Sequence, residues 1–407
     1  MNTMIFGIGE CGRNITLQLY TQLKSLQYKF LLKNFYFFST DIEDILRLIN
    51  DIKSKGISPG ELNVFMLTPT SSYAGVGGDW IVACEIAKKF FEGEGENRKY
   101  IDIIDLSIRV SDCFNIFNSA GGGTGNGAGP VFLEYMRNKS AEESSRKLYT
   151  TTIVLPFKKE SGSWRDVNAA VNIARYSKLC DGILIADNEH LKNSIKQDAK
   201  AVQKKVNELL SNVWIWMNAC SSAQLRISPK RWEGADFKRS FELGTRGALV
   251  VPCYREEKVE KLKMVSLKWI VLRTIKENCA AECLPETSNK ILVIASLPDR
   301  EGCPSSESDV ANYISQELFK GKKSTIDVIF IRGKVIQNIS VIALLVSPKI
   351  PRLEEMERNF RACLEDPWSF GDVIGSHSKK PREDILNAYQ IEYENFKEYL
   401  KDLKMFD

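Results

Sequence analysis

Along the first 190 residues, short apolar runs alternate with amphipathic stretches of helical period. Met4–Ile8, Phe35–Phe38, Asn63–Leu67, Phe114–Ser119, Thr151–Leu155 and Gly182–Ile185 are the apolar runs. Arg13–Leu26 has helical spacing, and another helix starts near Glu43. Strands alternating with helices predict an α/β fold, a parallel sheet covered on both faces. Asp198 to Met217 reads as one long amphipathic helix, followed by a basic, loop-like stretch, SPKRWEGADFKR. A second α/β region then runs to about residue 350, with a helix near Lys258–Asn278 and strands NKILVIA, TIDVIFIRG and VIALLV. The remainder is helical at both ends around a turn-rich middle, DPWSFGDVIGSHSKKP, and finishes in a helix over Arg382–Phe406. The expected units are residues 1–197, 198–218, 219–350 and 351–407.

Composition narrows the class. With 407 residues the chain exceeds one typical domain, and 43% apolar with 27% charged residues is a globular balance. The apolar run Val341–Val346 falls far short of the ~20 residues a bilayer span needs. A net charge of +4 is too mild to imply nucleic-acid binding, so no direct nucleic-acid partner is expected. The start, MNTMIFGIGE, reads as a first strand and not as a signal peptide. Ten cysteines without a CxxC pair suit reduced thiols and a cytoplasmic location. Only two histidines occur, His190 and His377, so a histidine-built metal centre is not expected.

The glycines carry the chemistry. Gly7-Ile-Gly9-Glu10-Cys11-Gly12 is a GxGxxG between a strand and a helix. Such a turn lets the backbone approach a phosphate at a helix N-terminus, and alone it also fits a dinucleotide site or a plain tight turn. Asp41 is a partial candidate for the acidic residue of a dinucleotide site. A second window, Gly75-Val-Gly77-Gly78-Asp79, precedes another helix, and a third, Gly121-Gly122-Gly123-Thr124-Gly125-Asn126-Gly127, follows a strand directly. Successive N–H groups in such loops form nests for anionic oxygens, and Thr124 adds a hydroxyl donor or magnesium ligand. Neither Lys322 nor Lys334 sits in a Walker frame. Three phosphate cradles without that lysine suit a triphosphate whose charge a divalent cation offsets.

These segments resemble the tubulin/FtsZ superfamily. GGGTGNG is similar to its GGGTG[ST]G signature, and Gly9-Glu-Cys-Gly12-Arg-Asn14 resembles the GQCGNQ of tubulins. Ser39-Thr40-Asp41 resembles the NTD of FtsZ, and Gly75-Val-Gly-Gly-Asp79-Trp80 the GAGNNW of tubulins. Pro156-Phe157 with Glu160 and Arg165 resembles an FtsZ segment, and Asp187-Asn188-Glu189 matches the tubulin DNE. Asn207 sits in the long helix where the family places a base-contacting residue. The resemblance covers roughly residues 1–255. It implies a Rossmann-like GTPase domain, a central helix, an activation domain and C-terminal helices, with GTP or GDP and Mg2+ as ligands. The three glycine loops would then hold the phosphates, while Asn14, Asn188 and Asn207 would read the base or ribose side.

The resemblance also implies self-association. In this family one subunit holds GTP and the next inserts acidic residues from an NxDxx[DE] segment. The counterpart here is Arg231-Trp-Glu233-Gly-Ala-Asp236, so Glu233 and Asp236 are the catalytic candidates and Arg231 replaces the Asn. Glu10 and Asp79 replace amides of tubulin and bring negative charge toward the phosphates. The C-terminal helix resembles the layout of TubZ, CetZ or tubulin more than that of FtsZ. The reading is a cytoskeletal GTPase forming head-to-tail protofilaments, with further cytoskeletal or membrane-tether partners as candidates. The alternatives are a non-polymerising GTP-binding regulator and a Rossmann-type NAD-dependent oxidoreductase.

Overall fold

A computed structural model describes residues 1–26, 34–67, 75–93, 97–141, 147–158, 164–243, 246–258, 260, 266–299, 306–320, 324–334, 336–366 and 382–405. The chain opens with β1 (Thr3–Ile8), α1 (Gly9–Ser25), β2 (Phe35–Ser39), α2 (Ile42–Ser54), β3 (Asn63–Met66), α3 (Trp80–Glu92) and α4 (Asn97–Val110). It continues with β4 (Cys113–Ser119), α5 (Gly123–Lys139), β5 (Leu148–Leu155), α6 (Trp164–Ser177), β6 (Gly182–Asp187) and α7 (Asn188–Ile195). Next come α8 (Ala199–Ala219), β7 (Arg226–Ser228), α9 (Gly234–Phe241), β8 (Glu242–Leu243), β9 (Arg246–Lys258) and α10 (Leu267–Glu277). The last elements are β10 (Lys290–Pro298), α11 (Glu307–Phe319), β11 (Thr325–Gly333), β12 (Asn338–Val346), α12 (Pro351–Glu365) and α13 (Arg382–Asp402).

One sheet runs through the molecule in the order β3-β2-β1-β4-β5-β6-β9-β12-β10-β11-β7, with β8 paired to β9. From β3 to β6 every pairing is parallel, as the alternating strand and helix pattern requires. The second half joins through a parallel β6–β9 pairing and then turns antiparallel at β12. Side chains alternate across the sheet: Met4, Phe6 and Ile8 enter one core, and Ile5 enters the other. The long helix α8 covers the second face, where Trp214 donates from Nε1 to Thr152 Oγ1 at 3.0 Å.

Four readings of the pattern change. The basic stretch expected as loop contains α9, whose apolar positions Phe237 and Phe241 are fully buried. The 13-residue strand β9 is not among the expected strands: its second half, CYREEK, is polar and, among the named strands, pairs only with β12, while β6 pairs with Ala248–Val250. The helix expected near Lys258–Asn278 is Leu267–Glu277. Most of the turn-rich segment after Asp366, residues 367–381, lies outside the described residues, and the final helix ends at Asp402, not Phe406.

The C-terminal helices pack on α6. Arg352 of α12 meets Asp166 of α6 at 2.6 Å with both side chains nearly inaccessible, and Asn359 Nδ2 donates to the other Asp166 oxygen at 2.8 Å. Glycine sets the packing of α5 on its neighbours. A Cβ on Gly127 would strike the Trp80 carbonyl of α3, and one on Gly129 would strike the Tyr176 hydroxyl of α6. Gly129→Ala therefore overpacks the core, with an expected loss of about 1–3 kcal/mol. Urea unfolding checks this: the midpoint falls while the slope stays constant.

Candidate functional site

Between β1 and β4 the chain order of the sheet reverses: β2 and β3 lie on one side, β5 and β6 on the other. Open α/β sheets hold ligands in the crevice beyond the strand ends at such a point. Here the crevice is a cavity of about 580 Å³ at the C-terminal ends of β1, β4 and β5.

Glycine loops build its phosphate-like wall. Gly9 has φ +70°, and Gly75, Gly77 and Gly78 have φ +74°, +55° and +92°. Side-chain-bearing residues avoid these left-handed conformations, which turn consecutive N–H groups into an anion nest. α5 begins inside the third glycine run, with Gly122 as a cap that has no side chain. The N–H groups of its first turn lack intrahelical partners, and Gly123, Thr124 and Gly125 line the cavity. Gly121 lies on the same wall, and Thr124 and Thr40 share a hydroxyl hydrogen bond of 2.8 Å.

The opposite rim is acidic. Glu10, Asp41 and Asp44 line it, and Asp41 Oδ1 also caps α2 by accepting from the Glu43 amide at 2.9 Å. Burial pushes the Asp44 carboxyl up; Arg13 opposes the rise, and Glu10 and Asp41 add to it. Carboxylates beside an anion nest fit a divalent cation that takes its remaining oxygens from phosphate and water. Among the described residues no cluster of three or more His, Cys, Asp or Glu could hold a metal alone. Cys11, also on the wall, is pushed up to about 12 by burial and then by Glu10, so it is a neutral thiol.

The far end carries amides. Asn14 Oδ1 accepts from both Nε and Nη2 of Arg13, each at 3.2 Å, which leaves its NH2 as the group able to donate. Asn188 is the first residue of α7, set by the Asp187 cap, whose Oδ1 accepts from the Glu189 amide at 2.9 Å. Asn188 Oδ1 is buried and has no hydrogen-bond partner among the described residues. A buried acceptor left open is costly unless a ligand donor fills it. Asn207 and Gln203 line the cavity one turn apart on α8. Donor and acceptor amides together suit guanine, which presents a carbonyl oxygen beside N–H donors.

Several expected residues lie elsewhere. Asp79 is off the wall; its Oδ1 accepts from the Ile81 and Val82 amides at 2.9 and 3.1 Å, so its charge serves the N-terminus of α3. Asn126 donates to the Asn168 carbonyl at 2.6 Å, and Gly127 serves helix packing. Glu160 lies outside the described residues. Arg165 lines the cavity beside Trp164, its guanidinium 5.3 Å from the indole ring. Sequence reading missed Trp164, Asp44 and Gln203; the i−4 spacing of Gln203 from Asn207 was the available signal.

Glu233 and Asp236 sit at the other end of the sheet. A Cβ on Gly234 would meet the Asp112 carbonyl and Leu148 Cβ, at the N-terminal ends of β4 and β5. At roughly 3.3 Å per residue, the length of β5, about 25 Å, separates them from the cavity. Asp236 Oδ2 accepts from the Glu233 amide at 3.1 Å, while Oδ1 meets Lys230 and Arg239 at 3.1 and 2.7 Å. Burial would raise its pKa, but that amide and the two cations prevail and hold it below the usual carboxylate value.

This is a phosphate-cradling, nucleotide-binding α/β fold. Residues 2–196 match the Tubulin/FtsZ family, GTPase domain. The tubulin-like protein CetZ of Pyrococcus abyssi is 24% identical over 289 residues, 66% of this chain and 75% of that one. The CetZ of Thermococcus kodakarensis is 36% identical over 96 residues, 24% of each chain. Among solved structures, GDP-bound monomeric CetZ1 from Haloferax volcanii has TM-score 0.68 at 17% identity, covering 88% of this chain and 98% of its own. CetZ from Methanosaeta thermophila has TM-score 0.67 at 15% identity, covering 98% and 99%. Residues 2–196 are thus a GTPase domain of the tubulin/FtsZ family, and the chain as a whole is CetZ-like in fold. The NAD-dependent oxidoreductase alternative falls away with this assignment.

Asn14→Asp removes the amide donor and pairs the new carboxylate with Arg13. GTP affinity is expected to fall about tenfold to a hundredfold, read by calorimetric titration.

Proposed function

We propose that the protein binds GTP in the cavity, assembles head to tail into protofilaments and hydrolyses GTP at the subunit interface. The placement of Glu233 and Asp236 carries this reading. They lie a full strand length from the cavity of their own chain, so only a second copy can bring them to a bound nucleotide. A surface that meets a different surface of its copy generates an open filament. The solved structure of CetZ2 from Haloferax volcanii, a GTPγS-bound protofilament with TM-score 0.66, 14% identity and coverage of 90% and 99%, supports the assembly.

The roles follow from the geometry. The loops at Gly9, Gly75–Gly78 and Gly121–Gly125 bind the phosphates, Arg165 borders them, and Asn14, Asn188 and Asn207 orient the base. Glu10, Asp41 and Thr124 are the residues that would hold magnesium, which neutralises phosphate charge when bound. Asp236, ionised at neutral pH, orients the attacking water and accepts its proton, with Glu233 beside it. Residues 1–197 form the nucleotide unit, 198–218 the central helix, 219–350 the activation unit and 351–407 the C-terminal helices. The engagement of Asp236 by Lys230 and Arg239 favours a second reading, a GTP-binding regulator that does not polymerise.

Asp236→Ala separates the roles. It is expected to leave GTP affinity intact and abolish turnover, with a stability loss of about 1 kcal/mol from the lost cap. Phosphate release and GTP-dependent light scattering read the outcome. Normal turnover reduces Asp236 to a helix cap, and GTP binding by the unmodified chain without scattering supports the regulator.

A further inference from the structure

Asn168, in the second turn of α6, is 2% exposed and outside the cavity wall. Its single amide nitrogen donates to two different glycine loops, to Gly78 O at 2.9 Å and to Gly121 O at 3.4 Å. Both glycines line the cavity. Its Oδ1 accepts from the Tyr389 hydroxyl of α13 at 3.1 Å, and its backbone carbonyl accepts from Asn126 at 2.6 Å. Tyr389 is 4% exposed and packs edge-on against Trp80, the residue after the second loop, with ring centroids 5.7 Å apart.

We propose that Asn168 is a positioning residue that fixes the second and third phosphate loops relative to each other, and that Tyr389 of the C-terminal helix sets its amide. The assignment rests on the nucleotide reading above. Only a carboxamide offers two donors and an acceptor on one planar group. The Tyr389 hydroxyl donates, so it holds the oxygen end and directs the nitrogen end at the two loop carbonyls. The Gly121 carbonyl shares its peptide unit with the Gly122 N–H on the cavity wall, so engaging it from behind orients that N–H toward an anion; the Gly78 carbonyl shares its unit with the Asp79 N–H, which closes the second loop on the Val76 carbonyl at 2.9 Å. Docking of α13 and occupation of the phosphate site are therefore linked, each favouring the other.

Calorimetric titration with GTP, GDP and guanosine tests this on the full chain. Asn168→Ala is expected to weaken GTP and GDP by about tenfold or more while guanosine stays within about twofold, because the amide nitrogen reaches the phosphate loops and none of the base-side amides. Tyr389→Phe, which removes one hydroxyl, is expected to weaken GTP by about threefold, and to add nothing in the Asn168→Ala background. If Asn168→Ala does not fold, Tyr389→Phe decides alone. Hydrogen exchange gives the reciprocal readout: GTP slows exchange in α13 of the unmodified chain, and slows it less in Tyr389→Phe. Unchanged GTP affinity in both variants, or an equal loss for guanosine, overturns the assignment. An unmodified chain that binds neither GTP nor GDP overturns the nucleotide reading instead.

Discussion

The structure depends on a reversal in the sheet. β1 and β4 are hydrogen-bonded neighbours, yet the chain leaves them toward opposite edges. The helices that follow, α1 and α5, therefore cover opposite faces, and a gap opens between their N-termini. Both helices begin in glycine, so both present backbone N–H groups at that gap. The second glycine loop closes the same gap from the start of α3. Parallel strands fix the rest, because every helix N-terminus in such a sheet lies at the same edge.

The opposite edge acquires its own chemistry for the same reason. α9 reaches the N-terminal ends of β4 and β5, where Lys238 meets Asp181 at 3.6 Å. The two edges cannot meet within one chain, so in the proposed assembly one copy would offer the nucleotide and another the carboxylates. The C-terminal helices stand outside this polarity and bind the face. Their buried Arg352–Asp166 pair is better read as fixing register than as supplying stability, since desolvation consumes much of its attraction.

How much was legible in the residues follows from what each residue type is needed for. The glycine loops of the cavity wall were legible because left-handed backbone at Gly9, Gly75, Gly77 and Gly78 leaves few alternatives to glycine. The same run overstated its reach: Gly127 and Gly129 exist for close helix packing, a demand that looks identical in one dimension. Asp79 was placed at the phosphates because cap and ligand share a position just before a helix. Asn168 was illegible, since an amide inside DVNAAVN signals nothing until its partners, 90 and 221 residues away, are brought together. β9 was missed because its apolar start, Ala248–Val251, runs into the polar CYREEK, which one long antiparallel pairing with β12 holds as strand.

The central claim is that the site is completed by a second copy. GTP turnover per chain, measured across a range of protein concentrations, tests it most directly. The account predicts specific activity near zero at low concentration, rising steeply above a threshold where assembly begins. Specific activity that is constant across the whole range would contradict it, because each chain would then carry a complete active site.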